Sequence, residues 1–416
     1  MIAATGEQGF PVSETPEERA QALVGTALGP GYRLDALIGQ GAMGAVFRAR
    51  RPDGGEVAVK TLSPEIMGSE TSQRFLRESE LVRGIEHPHV VRTLDAGVDS
   101  GSGLLFLVMP LLRGRDLDRA LQELGALPPE SAVRIALQAA RGLSAAHRIG
   151  IIHRDVKPGN LILDEEGDQI VVRVCDFGIA KQMGGAESLT ATGSQLGTPD
   201  YVSPEQLKSS KHVDARADVW SLGATLYQML CGAAPFAHIE SVFDLITAIM
   251  TEDVPHLQDR APWIDARLSL IVHKALMRDS KQRWATLADF SDALRPFAGG
   301  DELLDRSRIQ AVSADTRRQV ASRADLRDAP QQGSPPAPPA IQPGEGRAVN
   351  VGLVSNPGRR TGDRARERGD AGASRGAMLL VALLSASVAG GLAYFFARGH
   401  SVDSMVEAVR RLVLGP

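Results

Sequence analysis

The residues from His153 to Asn160 read His-Arg-Asp-Val-Lys-Pro-Gly-Asn. They place a carboxylate, Asp155, close to an ammonium, Lys157, and an amide, Asn160, while Pro158 stops the stretch from continuing as an ordinary helix. In a loop held by a rigid scaffold, these three side chains could converge as a proton acceptor, a cation for a transferring phosphoryl group and a metal ligand. Taken alone, the same residues also suit a polar turn between two apolar runs. A second candidate follows at Asp176, before Phe177 and Gly178. Two short strands, Leu161-Ile-Leu and Ile170-Val-Val-Arg-Val, joined by a polar turn at 164–168, would return Asp176 beside Asp155 and Asn160. Asp176 and Asn160 would then offer hard oxygen ligands suited to Mg²⁺.

The elements that must position these groups lie upstream. Tyr32 opens a strand-like stretch leading into Gly39-Gln40-Gly41-Ala42-Met43-Gly44-Ala45-Val46, after which strand character resumes at Phe47. Glycines on such a hairpin let the backbone approach a triphosphate, and Val46 would offer an apolar surface to a base. A dinucleotide fold would open a helix at the third glycine and place an acid about twenty residues on. Here strands flank the glycines, and Lys60 ends Val57-Ala58-Val59-Lys60. From Gln73 to Ile85 the positions Phe75, Leu76, Leu81, Val82 and Ile85 predict an amphipathic helix. Glu78 on that helix would pair with Lys60, with Glu80 as the competing acid. Pro88 ends the helix by excluding helical backbone at the residue before it. Leu104 to Met109 reads as a buried strand, and Val133, Leu137, Ala140, Leu143 and Ala146 predict a helix over 130–149 that delivers the chain to His153.

At 416 residues the chain suits one large two-lobed domain with appendages. A net charge of −4 does not mark a nucleic-acid binder. Two cysteines, Cys175 and Cys231, cannot make a disulfide framework in so long a chain and point to a reducing compartment. The first 30 residues carry no secretory signal and are expected to be mobile.

The chain from about Tyr32 to Phe297 resembles a eukaryotic-like (Hanks-type) serine/threonine protein kinase of bacteria. The resemblance rests on an ordered set: the glycine loop, Val57 to Lys60, Glu78, His153-Arg-Asp with Asn160, Asp176-Phe-Gly and Ser203-Pro-Glu. It implies an α+β, bilobal fold, with a small antiparallel-sheet N-lobe over 31–112 and a mainly helical C-lobe over 113–297. It also implies ATP with Mg²⁺, or Mn²⁺, and protein Ser/Thr substrates. Lys60, held by Glu78, would contact the α- and β-phosphates. Asp155 would orient the attacking hydroxyl, Lys157 would stabilise the γ-phosphoryl group, and Asn160 and Asp176 would hold the metal. Lys157 is the residue that marks serine/threonine rather than tyrosine kinases. Thr198 resembles the threonine that bonds the catalytic aspartate and lysine. Glu205 resembles the acid that pairs with a late arginine, here Arg283, and Asp218 the residue that braces the catalytic loop. The nucleotide would be lined by Gly39, Gln40, Gly41, Ala42, Met43, Gly44, Val46, Ala58, Lys60, Met109, Pro110, Leu112 and Cys175. Pro110 departs from the acidic residue common there, but it keeps the carbonyl the adenine needs, and Leu112 keeps its N–H. Arg154 would receive a phosphate from the segment carrying Ser188, Thr190, Thr192 and Ser194, which leads to an expected autophosphorylation at Thr190 or Thr192.

Residues 298–376 are rich in Pro, Arg, Asp, Gly and Ser and are expected to form a disordered linker. The uncharged run 377–397 would span roughly 30 Å at about 1.5 Å per residue, enough for a bilayer core. Arg359, Arg360, Arg364, Arg366, Arg368 and Arg375 precede it and keep the kinase cytoplasmic by the positive-inside rule, leaving 398–416 as a short outer tail. The expected partners are thus ATP, protein substrates, membrane lipid and a second copy for trans-autophosphorylation, with no nucleic acid. The alternative from another class is a catalytically silent kinase-like membrane scaffold, which the complete catalytic set disfavours.

Overall fold

The computed structural model describes residues 15–41, 44–62, 69–177, 199–209 and 213–318. The N-terminal part of this chain is built on a six-stranded antiparallel sheet. Its strands are β1 (Ala27–Leu28), β2 (Tyr32–Gly41), β3 (Gly44–Arg50), β4 (Glu56–Leu62), β5 (Asp95–Val98) and β6 (Leu105–Pro110), in the order β1-β2-β3-β4-β6-β5. Alternation decides which face is inside: Ala45, Phe47 and Ala49 of β3 are buried with Leu34, Val57, Val59, Phe106 and Val108, while Arg48 and Arg50 on either side of Ala49 face water. Tyr32 donates its hydroxyl to Asp95 at 2.8 Å, tying β2 to β5.

The segment expected to be mobile is folded from Thr15 onward. Thr15 and Glu18 cap each other's backbone N–H groups at the start of α1 (Pro16–Ala22), and Ala20 and Leu28 join the N-lobe core. Two buried apolar residues and a capping box are weak signals in a polar sequence, which is why the stretch reads as a tail.

Helix α2 (Ser69–Arg83) buries Phe75 and Val82. Leu81, expected on the same face, is 60% exposed, because it lies one position off that stripe. The C-lobe follows with β7 (Gly114–Asp116), α3 (Leu117–Leu124) and α4 (Pro129–Arg148), where all five expected apolar positions are buried. After β8 (Leu161–Glu166) and β9 (Gln169–Val174) come α5 (Pro204–Lys208), α6 (Arg216–Cys231), α7 (Val242–Thr251), α8 (Leu257–Arg260), α9 (Ala266–Ala275) and α10 (Leu287–Leu294). Helix α6 is buried nearly all round and forms the axis of the lobe. The two-lobed α+β arrangement is therefore present.

Residues 299–318, placed by composition in the linker, are instead folded onto the C-lobe. They contribute β10 (Leu304–Asp305), which completes a sheet of order β10-β9-β8-β7, and α11 (Ala314–Arg318). Leu304 and Val312 are buried, and Arg134 of α4, almost wholly buried, donates to the carbonyls of Gly299 and Asp301. Backbone acceptors carry no sequence signal, so a linker-like composition concealed a docked segment. No described helix is long and apolar enough to cross a membrane, and residues 319–416, including the run 377–397, lie outside the described residues.

Candidate active site

The catalytic loop is fixed from below by one buried carboxylate. Asp218, on α6 and without exposed surface, accepts from the backbone N–H of His153 at 2.9 Å and of Arg154 at 2.8 Å. Its Oδ2 also lies 2.7 Å from Nε2 of His147 in the last turn of α4. Burial pushes the Asp218 carboxyl up, but the bond to His147, the His147 charge and the backbone donors outweigh it and hold it below the usual carboxylate range. His147 was not singled out from the sequence. A histidine in the last turn of the helix that feeds the loop is the only signal that pointed to it.

Asp155 N–H donates to His153 Nδ1 at 3.2 Å, which leaves the ring proton on Nε2 to donate to the Cys175 carbonyl at 2.8 Å. The His153 and Phe177 rings meet at 4.6 Å. One histidine thus joins the loop that carries Asp155 to the stretch that carries Asp176. A short 3₁₀ turn over Pro158–Asn160 brings Asn160 back, so that its Nδ2 donates to the Asp155 carbonyl at 2.7 Å and to Asp155 Oδ2 at 3.1 Å. Lys157 Nζ lies 3.0 Å from the same Oδ2. Arg154 and Asp176 stand at φ +63° and +56°, the positive-φ residues other than glycine among those described. Such backbone persists only where the surroundings over-determine it, and both residues adjoin these bonds.

β4 brings Lys60 to this group from the other lobe. Its Nζ lies 2.7 Å from Asp176 Oδ2. Burial alone would lower the Lys60 pKa, but the Asp176 charge and hydrogen bond outweigh it and the net shift is upward. The expected pair between Lys60 and Glu78 is not formed. Oε2 of Glu78 is buried without a hydrogen-bond partner, and burial raises its carboxyl pKa against the pull of Arg74 and Arg154. The sequence places a glutamate on the right helix but cannot set how far that helix stands from β4.

Above the lysine, Gly39 pairs with Val46 and Gly41 with Gly44 across the β2–β3 hairpin, with Gln40 opposite Ala45. Ala42 and Met43 lie outside the described residues, as do Thr198 and the segment from 178 to 198. Gly44 stands at φ +143°, and a Cβ there would run into the Thr61 carbonyl. Nothing lies within 4 Å of a Cβ built on Gly41. Among the described residues no contact demands glycine there, and open space is what phosphates need. Ala58 pairs with Met109 and Val57 with Pro110, which ends β6, and Leu112 follows in the connection between the lobes. Cys175 leads into Asp176, and burial, with the Asp176 charge, pushes its thiol pKa well up.

The metal-binding reading can be tested on the donor set. Asn160 engages Asp155 through its nitrogen, so its amide oxygen and the Asp176 carboxylate are the oxygen donors left. Two protein oxygens suit Mg²⁺, which keeps waters and takes further ligands from phosphate. Farther out, Arg283, whose side chain has no exposed surface, forks onto Glu205 at 2.6 and 2.7 Å. It also donates to the carbonyls of Met277, Arg216 and Arg278.

The family described as "Protein kinase domain" matches residues 32–293. This chain belongs to the protein kinase family. The kinase is 35% identical over 315 residues to the serine/threonine-protein kinase pkn3 of Myxococcus xanthus, covering 74% of this chain and 56% of that relative. The kinase spans about half the length of the curated relatives it matches. Among solved structures it is similar to the PknI kinase domain of Mycobacterium tuberculosis, with a TM-score of 0.53 at 29% identity over 66% of this chain and 99% of that one. A structure of Rad53 in complex with AMP-PNP is similar at a TM-score of 0.52 and 26% identity, covering 64% of this chain and 65% of that one.

Proposed function

We propose that this chain is a serine/threonine protein kinase that transfers the γ-phosphoryl group of ATP, with Mg²⁺, to protein hydroxyls. The observation that carries the reading is the meeting of two lobes at one point: Lys60 against Asp176, with Asp155 held between Lys157 and Asn160. Asp155 would accept a hydrogen bond from the substrate hydroxyl, orient it and take its proton at Oδ as the new P–O bond forms and the bond from the γ-phosphorus to the β–γ bridging oxygen breaks, releasing ADP. Lys157 would lie against the transferring group and Lys60 against the α- and β-phosphates, each offsetting negative charge. Asn160 and Asp176 are the residues that would hold Mg²⁺, whose chemistry there is neutralisation of phosphate charge. The AMP-PNP bound to Rad53 supports an adenine nucleotide as the donor.

The test is incubation of the full chain with labelled ATP, Mg²⁺ and a generic Ser/Thr-containing protein. Label should transfer with wild type and be lost with Asp155→Asn. Equal signal from both would overturn the assignment. Mass spectrometry of the same reaction should find phosphate on Thr190 or Thr192, which Arg154 would then receive.

Residues 377–397 are the proposed membrane anchor, supported by an uncharged run of spanning length and the arginines before it. Full-length protein should sediment with membranes after carbonate washing, and deletion of 377–397 should release it. Tethering raises the effective concentration of one copy for another, which favours phosphorylation in trans.

A further inference from the structure

β9 is the strand that runs to Asp176, and its outer edge is taken up by three separate parts of the chain. Ile170 is paired by Leu304 of β10. Val172 donates its N–H to Gln138 Oε1 at 2.8 Å, and its carbonyl meets the His89 ring at 2.9 Å. Val174 donates to the His89 carbonyl at 3.0 Å and accepts from Val91 N–H at 2.9 Å. Every outward-facing residue of the strand is therefore held, by the segment after residue 298, by α4 and by the loop that follows α2.

The first of these is the part of the molecule that continues past the family match, which ends at residue 293. Its attachment is specific. Arg134, 3% exposed, donates through Nε to the Asp301 carbonyl at 2.9 Å and through Nη2 to that of Gly299 at 3.3 Å. Ser131 donates to the Arg308 carbonyl, and Val312 N–H to that of Ala126 at 3.0 Å. Gln138 is the joint: its oxygen takes Val172 while its nitrogen donates to the Glu302 carbonyl at 3.1 Å. A shift of the segment must either break that bond or draw the amide off Val172.

We propose that residues 299–313 are a strap whose docking on β9 sets the alignment of Asp176, so that a displacement of the chain beyond it weakens retention of Mg²⁺ and nucleotide. The proposal rests on the kinase reading and adds a route by which the C-terminal part of the chain governs the site. Asp176 lies two residues beyond the end of the strand that the strap and Gln138 hold, and its φ of +56° is a conformation that relaxes when its surroundings loosen. The His89 contacts carry the same strand to the loop after α2, the helix of Glu78.

The test uses the full chain in three variants. Leu304→Ala removes the strap's buried anchor, Gln138→Met removes both bonds of the joint at similar size, and Ile264→Ala, buried between α8 and α9, serves as a control for general destabilisation. In Leu304→Ala and Gln138→Met, amide hydrogen exchange at residues 170–176 should quicken about tenfold. The Mg²⁺ concentration that half-saturates the thermal shift given by ATP should rise about fivefold. Ile264→Ala should lower the melting temperature without either change. Strap variants that melt lower yet keep wild-type exchange at Val172 and Val174 and wild-type Mg²⁺ half-saturation would overturn the proposal. A wild type that gives no shift with ATP would defeat the kinase reading instead, and the exchange comparison would still decide the strap.

Discussion

Lys60 Nζ stands 2.7 Å from Asp176 Oδ2, so the cation expected on the nucleotide's phosphates is held by a carboxylate expected on the metal. Glu78, its expected partner, keeps a buried oxygen without a hydrogen bond. ATP and Mg²⁺ would draw the two charges of the Lys60 pair apart, one to phosphate and one to metal. Lys60 would then be open to Glu78.

Glu78→Gln separates the two roles of that side chain. An unsatisfied buried polar group costs about 1–3 kcal/mol. Removing its charge should leave the melting temperature of the free protein equal or higher. Phosphoryl transfer should fall about tenfold or more, since an amide cannot hold the ammonium as a carboxylate does. A lower melting temperature with unchanged turnover would contradict both halves.

Arg283→Lys should be costly although it keeps the charge. A lysine offers one compact ammonium where the guanidinium forks onto Glu205 and reaches three carbonyls. Each hydrogen bond lost by a buried charged group costs about 1.5–3 kcal/mol. Urea unfolding should show the midpoint falling with the slope unchanged. A loss under about 1 kcal/mol would place the pair with ordinary surface bridges.

These two sites also show what the sequence made legible. Lys60, Asp155, Asn160 and Asp176 stand in short ordered motifs, so type and spacing pointed to them. Glu205 and Arg283 were matched across the C-lobe by resemblance alone. That Lys60 sits on Asp176 and not on Glu78 in this structure was not legible, because motif order says nothing of the distance between α2 and β4. His147, and the docking of 299–313 on Arg134 and Gln138, were missed because their bonds run to a distant helix or to backbone carbonyls. Neither leaves a pattern in composition or periodicity.

His273 gives the C-lobe an acid limit. Burial, aided by the charge of His256, whose ring stacks on it at 4.9 Å, pushes its pKa from 6.5 down to about 4, and its Nε2 accepts from Leu257 N–H at 3.0 Å. Below pH 6.5 the unfolded chain takes up a proton that the folded chain refuses. Stability present above pH 6.5 should therefore fall as the pH drops toward 4. His273→Gln should flatten that slope in urea titrations at pH 7, 6 and 5. An equal slope would assign the loss to other groups.

Cys175 should be inert despite its place beside Asp176. Burial raises its thiol pKa, and burial raises that of Cys231 as well, so little thiolate exists at neutral pH. Iodoacetamide at pH 7.5 should leave both unmodified in the folded protein and label both after denaturation, as read by intact mass. Rapid labelling of Cys175 alone would mean that the stretch before Asp176 opens.

The sheet under the catalytic loop ends in strands of two and three residues, β10 on one side and β7 on the other. Long unpaired strand edges are templates on which a second chain can add itself, and short ones are not. Because β10 pairs with β9 at Gln169 and Ile170, this edge of the sheet offers a second copy no long unpaired strand to add to. The short strand that completes the sheet thus also guards that one edge against strand addition.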